Sequence, residues 1–203
     1  MTAPRRQRSL VAQEVILVRH GETEWSRAGR HTGRTDVPLT DAGREQGVAL
    51  GAALLGRAFV LVLTSPLSRA AETCRLAGFG DVARERVDRQ EWDYGAYEGR
   101  TTPEIREERT DWTLWRDGVP GGETAADVGE RADRVIAELR AAGGDAAVFA
   151  HGHLLRVLTA RWLGLDAAEG RYFALDTATI SALGHERETA VIRLWNGSPH
   201  LEL

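Results

Sequence analysis

Residues 15–25 read VILVRHGETEW, and the fold turns on them. The run Val15–Val18 is apolar and largely β-branched, and it breaks abruptly into Arg19, His20 and Gly21. Short runs of this kind, bounded by polar turns, read as buried strands. Open α/β sheets hold their ligands at the carboxyl ends of such strands. The tripeptide therefore stands where a site is expected, although a surface turn with a solvated Arg and His fits those three residues about as well. The other strand ends decide between the two.

Two further apolar runs have the same form. Phe59–Leu63 ends in Thr64-Ser65-Pro66, and Asp145–Ala150 ends in His151-Gly152-His153. Ser65 suits an N-cap and Pro66 a first helical position, which predicts a helix over Pro66–Ala77 with Arg69 in its first turn. A cation there opposes the helix dipole, a placement tolerated when an anion sits nearby. Thr40 predicts the cap of a helix over Asp41–Leu55, in which Gly43, Gly47 and Gly51 favour close packing on the sheet. Thr124–Asp127 resembles a capping box. Behind it Val128, Ala132, Val135, Leu139 and Ala142 form one amphipathic face, and Gly143 ends it as a left-handed cap. Leu154–Leu163 predicts another helix. Val82–Asp88, Asp176–Leu183 and Thr189–Trp195 predict strands, the last two joined across Gly184–Glu188. The order β-α-β-α-(insertion)-α-β-α-β-β predicts an α/β fold, a three-layer α/β/α sandwich with a mostly parallel central sheet.

Between these elements lie two irregular stretches. SRAGRHTGRTDVPLT, residues 26–40, is a polar loop of the length that is often functional. Residues 91–123 form an insertion that mixes carboxylates, aromatics and glycines, and its Trp112 and Trp115 are expected to pack onto the body of the protein. Residues 1–13 predict a disordered tail and 14–203 a single domain, with 91–123 over the site.

The 203 residues are 42% hydrophobic and 28% charged, ordinary for a globular domain, and the net charge of -4 argues against a nucleic-acid partner. No run of about 18 apolar residues predicts a membrane span. The lone Cys74 excludes an intramolecular disulfide and reads as core filler, which fits a reducing cytoplasm. His151-x-His153 invites a metal reading, but no Cys–His cluster or H-E-x-x-H accompanies it, and the expectation is no metal and no cofactor.

Parallel strands bring their carboxyl ends to one edge, so Arg19, His20, Arg69 and His151 can meet. Guanidinium forks match phosphate oxygens, and the following helix N-termini add backbone donors. LVRHGETEW, SPLSRAAET, EWDYGAYEG and FAHGHLLR, in this order, resemble the segments of the histidine phosphatase superfamily, the phosphoglycerate-mutase-like proteins. The resemblance implies that His20 attacks phosphorus and becomes a transient phosphohistidine. It implies that Arg19, Arg69 and His151 hold the phosphoryl oxygens, and that Glu91 protonates the leaving alkoxide and then activates water. That role needs a carboxyl able to hold a proton near neutral pH, which adjacent phosphate charge favours. Glu22, Asp93, Glu98 and Glu123 are weaker candidates, with Glu22 and Glu123 expected to orient their neighbours.

Ser26, Thr32, Gly33 and His153 join Arg19, Arg69 and His151 as expected substrate contacts. Many relatives have Asn at the position of Ser26 and Gly at that of His153, which either reaches substrate or caps the following helix, the second being favoured. Some thirty residues separate Glu91 from Glu123, little room for the lid a mutase needs against water. The expectation is thus a metal-independent phosphatase for small phosphorylated metabolites, and the finer resemblance, to the sedoheptulose-1,7-bisphosphatase and acid-phosphatase branch, implies sugar phosphates or bisphosphates. Arg27, Arg30, His31, Arg34 and Arg100 are candidates for a second phosphate. A phosphoglycerate mutase and a non-catalytic phospho-ligand module are the alternatives. The C-terminal strands offer an edge for a homodimer.

Overall fold

Six strands and seven α-helices alternate along the chain in a computed structural model that describes residues 13–198. They are β1 (Val15–Arg19), α1 (Glu24–Arg27), α2 (Asp41–Ala53), β2 (Leu61–Thr64), α3 (Ser68–Leu76) and β3 (Ala83–Glu85). There follow α4 (Thr102–Glu108), α5 (Leu114–Asp117), α6 (Ala125–Ala142), β4 (Ala146–Ala150), α7 (Gly152–Trp162), β5 (Ile180–Glu186) and β6 (Thr189–Gly197). The sheet order is β3-β2-β4-β1-β5-β6. β3, β2, β4 and β1 run parallel, and β5 and β6 add an antiparallel hairpin at one edge.

Side chains alternate across each strand and so build two cores. Val15 and Leu17 join Leu61, Leu63 and Val148 beneath α6 and α7. Ile16 and Val18 join Val62, Ala147 and Phe149 beneath α2 and α3. The three-layer arrangement follows. Cys74 is fully buried in the second core, and burial pushes its thiol up to about 12, so it is packing material. Trp112 is buried in the first core and Trp115 packs against it.

Several boundaries differ from the sequence expectation. α3 begins at Ser68, two residues after Pro66, and Ser65 caps nothing in the helix proper; its Oγ accepts instead from Leu67 N–H at 3.3 Å. α7 begins at Gly152, immediately beyond the strand. Asp176–Thr179 turns before β5, with Ala178 at φ 54°, and the hairpin closes at Arg187, also φ 54°. The α2 glycines do not face the sheet. A Cβ on Gly43 would lie 2.1 Å from the Glu22 carbonyl oxygen, and those on Gly47 and Gly51 would press on Leu76 and Ala77 at the end of α3. The expected tail falls largely on residues 1–12, outside the described residues. Gln13 is tied down, its amide donating to the carbonyls of Leu139 and Gly144.

Candidate active site

The site starts from register. Arg19 pairs with Ala150 across β1 and β4, and Thr64 pairs with Phe149 across β2 and β4. His20, His151 and Ser65 therefore leave three adjacent strands at one edge. His20 N–H donates to the Ala150 carbonyl at 3.0 Å, which fixes the first residue beyond β1. Gly21 has to be glycine, because a Cβ there would lie 2.3 Å from the Gly43 carbonyl oxygen at the start of α2. Its N–H donates to Thr73 Oγ1 of α3.

This clamp sets the His20 ring. Nδ1 lies 2.7 Å from the Gly21 carbonyl, which can only accept, so Nδ1 carries the proton and Nε2 keeps its lone pair. Burial first, then the Arg69 and Arg19 guanidiniums, push its pKa well below the usual imidazole value. The ring is neutral at pH 7.

Arg69 lies behind His20. Three of its N–H groups donate to the carbonyls of Thr32, Gly33 and Thr35, and Nε–H donates to His151 Nδ1 at 3.2 Å. That bond puts the His151 proton on Nε2, which donates to Ser65 Oγ at 2.8 Å. The two imidazoles meet edge-on, 5.2 Å between centroids. Arg69 and His151 are fully buried, and burial followed by the Arg69 charge keeps His151 neutral as well. Gly33 is part of this scaffold: its N–H donates to Glu98 Oε1, and a Cβ would strike the Trp92 carbonyl oxygen at 2.5 Å.

Arg19 lies over Gly152, where a Cβ would come within 3.3 Å of its guanidinium. It donates from Nη1 to the Leu175 carbonyl, and its Nε has no protein partner. Glu91 does a job the sequence did not reveal. Oε1 accepts from Trp92 and Leu154 N–H and Oε2 from His153 N–H, all at 2.9 Å. It thereby caps the N-terminus of α7 from across the structure, where the side chain of His151, the residue at the cap position, makes no bond to the helix backbone. His153 is accordingly not the cap. It sits inside the first turn, its ring joined to the Tyr94 hydroxyl by a 2.6 Å hydrogen bond.

A cavity of about 190 Å³ opens onto these groups, and Arg19, His20, Ser26, Thr32, Glu91 and His153 line it. Arg69, His151 and Gly33 form the layer beneath rather than the wall. The Ser26 hydroxyl is engaged with Thr23, accepting its N–H and donating to its carbonyl. Glu22 and Glu123 orient neighbours: Glu22 accepts from Thr40 Oγ1, and Glu123 pairs with Arg131, which also holds the carbonyls of Asp88 and Gln90 just before Glu91. Arg30 and His31 reach the cavity, whereas Arg27, Arg34 and Arg100 are spent on Glu24, Asp93 and Glu108. Sequence reasoning missed Tyr94 and Arg156, which also line it. Arg156 lies four residues after Gly152 on α7, a spacing that puts both on one helical face. A larger groove, about 560 Å³, lies beside α3 and β3 and contains none of the converging residues.

Residues 15–198 match the histidine phosphatase superfamily, branch 1. An acid phosphatase of Mycobacterium tuberculosis is 44% identical over 188 residues, covering 89% of this chain and 92% of that protein. The sedoheptulose 1,7-bisphosphatase of Saccharomyces cerevisiae is 38% identical over 182 residues, covering 74% and 67%. The solved structure of a Mycobacterium tuberculosis open reading frame superposes with a TM-score of 0.88 at 41% identity, covering 93% of this chain and 99% of that one.

Proposed function

The chain belongs to the histidine phosphatase superfamily, and from that premise we propose that it hydrolyses small phosphomonoesters, sugar phosphates or bisphosphates among them, through a phosphohistidine at His20. The observation that carries the reading is the fixed, neutral His20 ring. Its Nδ1–H is tied to the Gly21 carbonyl, so Nε2 is presented as a nucleophile, with the Arg19 guanidinium, whose Nε has no protein partner, on the same cavity wall.

In the first step Nε2 attacks phosphorus as the ester P–O bond breaks, and the pair of electrons leaves with the alkoxide. Glu91, on the same cavity wall, gives that oxygen its proton from Oε2, the carboxyl oxygen with only one backbone donor. Arg19 supplies the charge that the equatorial oxygens require, and Arg69 fixes the loop 32–35 and adds its field from below. In the second step Glu91 takes a proton from water as its oxygen attacks phosphorus; the Nε2–P bond breaks, its electron pair returns to His20 Nε2, and inorganic phosphate leaves. All positive charge in this scheme comes from the chain's own arginines, so turnover persists in EDTA.

Two names point the same way: the relatives called acid phosphatase and sedoheptulose 1,7-bisphosphatase are phosphatases, and the second names a sugar bisphosphate. The single buried thiol fits a cytoplasmic setting, and the edge of β6, the last strand of the sheet among the described residues, fits a homodimer. No described helix is long and apolar enough to cross a membrane.

The test is phosphate release from sedoheptulose 1,7-bisphosphate and from p-nitrophenyl phosphate in EDTA, with trapping of 32P on the protein after acid-free quench. Release that disappears in His20→Ala, with label on the wild type only, supports the reading. Turnover unchanged in His20→Ala would sink it. Exchange between 3- and 2-phosphoglycerate faster than phosphate release would replace hydrolysis with mutase chemistry, and tight binding without turnover would leave a binding module.

A further inference from the structure

The outermost strand of the sheet, β6, ends in Trp195-Asn196-Gly197. Between the register pairs Ile180–Gly197 and Ala182–Leu194, Trp195 and Asn196 both stand opposite the single residue Ser181, which makes a β-bulge. Asn196 is left-handed there, with φ 56°, a conformation asparagine adopts more readily than most residues. Its N–H donates to Ser181 Oγ at 3.0 Å. A bulge re-aims the side chains it carries. Here both reach residues 173–176, the segment that leads into β5. Trp195 packs against the Phe173 ring, 5.4 Å between centroids, and its Nε1–H donates to the Ala174 carbonyl. Asn196 Oδ1 accepts from Asp176 N–H at 2.7 Å, and Asn196 Nδ2 donates to Asp176 Oδ2 at 2.8 Å.

Between the gripped residues Ala174 and Asp176 lies Leu175, on the cavity wall. Its carbonyl accepts from Arg19 Nη1. Among the described residues this is the one protein acceptor of the Arg19 guanidinium, whose Nε has none. The far end of the same segment is tied to β1: Arg19 N–H donates to the Thr179 carbonyl at 3.3 Å, and Ala178 N–H to the His20 carbonyl at 3.0 Å. Burial lowers the Arg19 pKa, opposed first by Glu91 and then by Tyr94 and Asp176, so the gripped carboxylate also lies within reach of the Arg19 charge. A long side chain with a single fixed donor is only as well placed as the carbonyl that receives it. That carbonyl is held, one residue away on either side, by the bulge.

We infer that Trp195 and Asn196 are positioning residues: the β6 bulge locks the Leu175 carbonyl, and that carbonyl holds the Arg19 guanidinium at the phosphoryl site. The inference rests on the phosphatase reading, in which Arg19 binds the phosphoryl oxygens. It ties the outermost strand, which touches no reacting group, to the cation beside His20.

The test reads the affinity for inorganic phosphate, by calorimetry, and kcat/KM for p-nitrophenyl phosphate. Asn196→Gly removes both side-chain bonds and leaves the left-handed backbone unstrained. It weakens phosphate binding by roughly fivefold or more and lowers kcat/KM by roughly tenfold or more, as a slightly displaced group does. In an Arg19→Ala background the same change costs nothing further, because Asn196 acts through Arg19. Asn196→Asp sets two carboxylates face to face and loses phosphate affinity too. Adding Asp176→Asn rebuilds the pair with its donor on the other side and restores that affinity. A residue that only closes the sheet lowers Tm and leaves phosphate affinity unmoved, and that result overturns the inference. Equal losses with and without Arg19, or a swap that restores nothing, overturn it as well. Should Asn196→Gly fail to fold, Trp195→Phe decides by the same readings, since it keeps the packing on Phe173 and loses the bond to Ala174. A wild type that binds phosphate without hydrolysing p-nitrophenyl phosphate fails the phosphatase reading, and the affinities still decide the inference; a wild type that binds no phosphate overturns both.

Discussion

His20 illustrates how one residue's chemistry is set by its neighbours. An imidazole in water is half protonated near pH 6.5 and a poor nucleophile below it. Here burial and two guanidiniums push that protonation well lower. Activity that depends on neutral His20 is lost only as pH falls through the lowered value, so the acid limb of kcat/KM lies well below pH 6.5. A pH–rate profile with an acid limb at 6.5 or above would contradict this. Arg69, a cation beneath the phosphoryl site in the proposed reaction, is also a tie for the loop 32–35. Arg69→Ala strands the carbonyls of Thr32, Gly33 and Thr35 as well as removing a cation. We expect a loss of roughly 100-fold in kcat/KM, together with about 3 kcal/mol or more of stability from the unpaired carbonyls. Steady-state kinetics and urea melts on the same preparation check both. Glu91→Gln keeps the shape but removes the transferable proton. It should slow release from an alkyl phosphate far more than from p-nitrophenyl phosphate, whose leaving group needs no proton. Equal slowing of the two would assign Glu91 to capping alone.

At the scale of elements, the site depends on how closely α2 and α3 approach the turn after β1. The Gly21–Gly43 contact has no room for a methyl group on either side. Gly21→Ala or Gly43→Ala must separate backbone from backbone, and overpacking of this kind costs about 1–3 kcal/mol or more. Because the same turn carries the carbonyl that orients His20, kcat falls along with Tm. Gly143, the left-handed cap of α6 with φ 69° and open space around it, is the control: Gly143→Asn leaves kcat near wild type. The N-terminus of α7 joins element to element in another way. Its donors are satisfied by a carboxylate from residue 91, so the insertion that carries Glu91 and Tyr94 is docked onto the strand-end cluster by the helix it caps.

At the scale of the whole molecule, four imidazoles are held neutral by burial: His20, His31, His151 and His153. In the unfolded chain each protonates near pH 6.5. Between 6.5 and its lowered folded value, each binds more protons unfolded than folded, so stability falls as pH falls. Each contributes about 1.4 kcal/mol per pH unit in its window. For His31 the window runs from 6.5 down to about 4, a loss of order 3 kcal/mol by its lower end. Thermal melts should be flat above pH 7 and drop steeply below 6.5, and the drop should shrink in His31→Asn. The acid limit of the working enzyme is then unfolding rather than protonation of His20, which pre-incubation at low pH followed by assay at pH 7 distinguishes.

Much of this was legible in the residues. The β-branched run 15–18, the two other apolar runs, the capping box at Thr124 and the α6 face gave the three-layer sheet, because strand and helix periodicities are local properties. The converging set Arg19, His20, Arg69 and His151 followed from parallel strands ending together. Helix starts at 66 and 154 were misplaced because Pro66 and His153 carry local signals that tertiary contacts override. Only the folded chain decided the division of labour: Arg69 and His151 lie beneath the cavity, Glu91 caps a helix sixty residues away in sequence, and Arg156 reaches the wall. Sequence specifies which chemical groups exist and which local conformations they favour. Which group touches which depends on packing between distant segments, and that is a property of the fold alone.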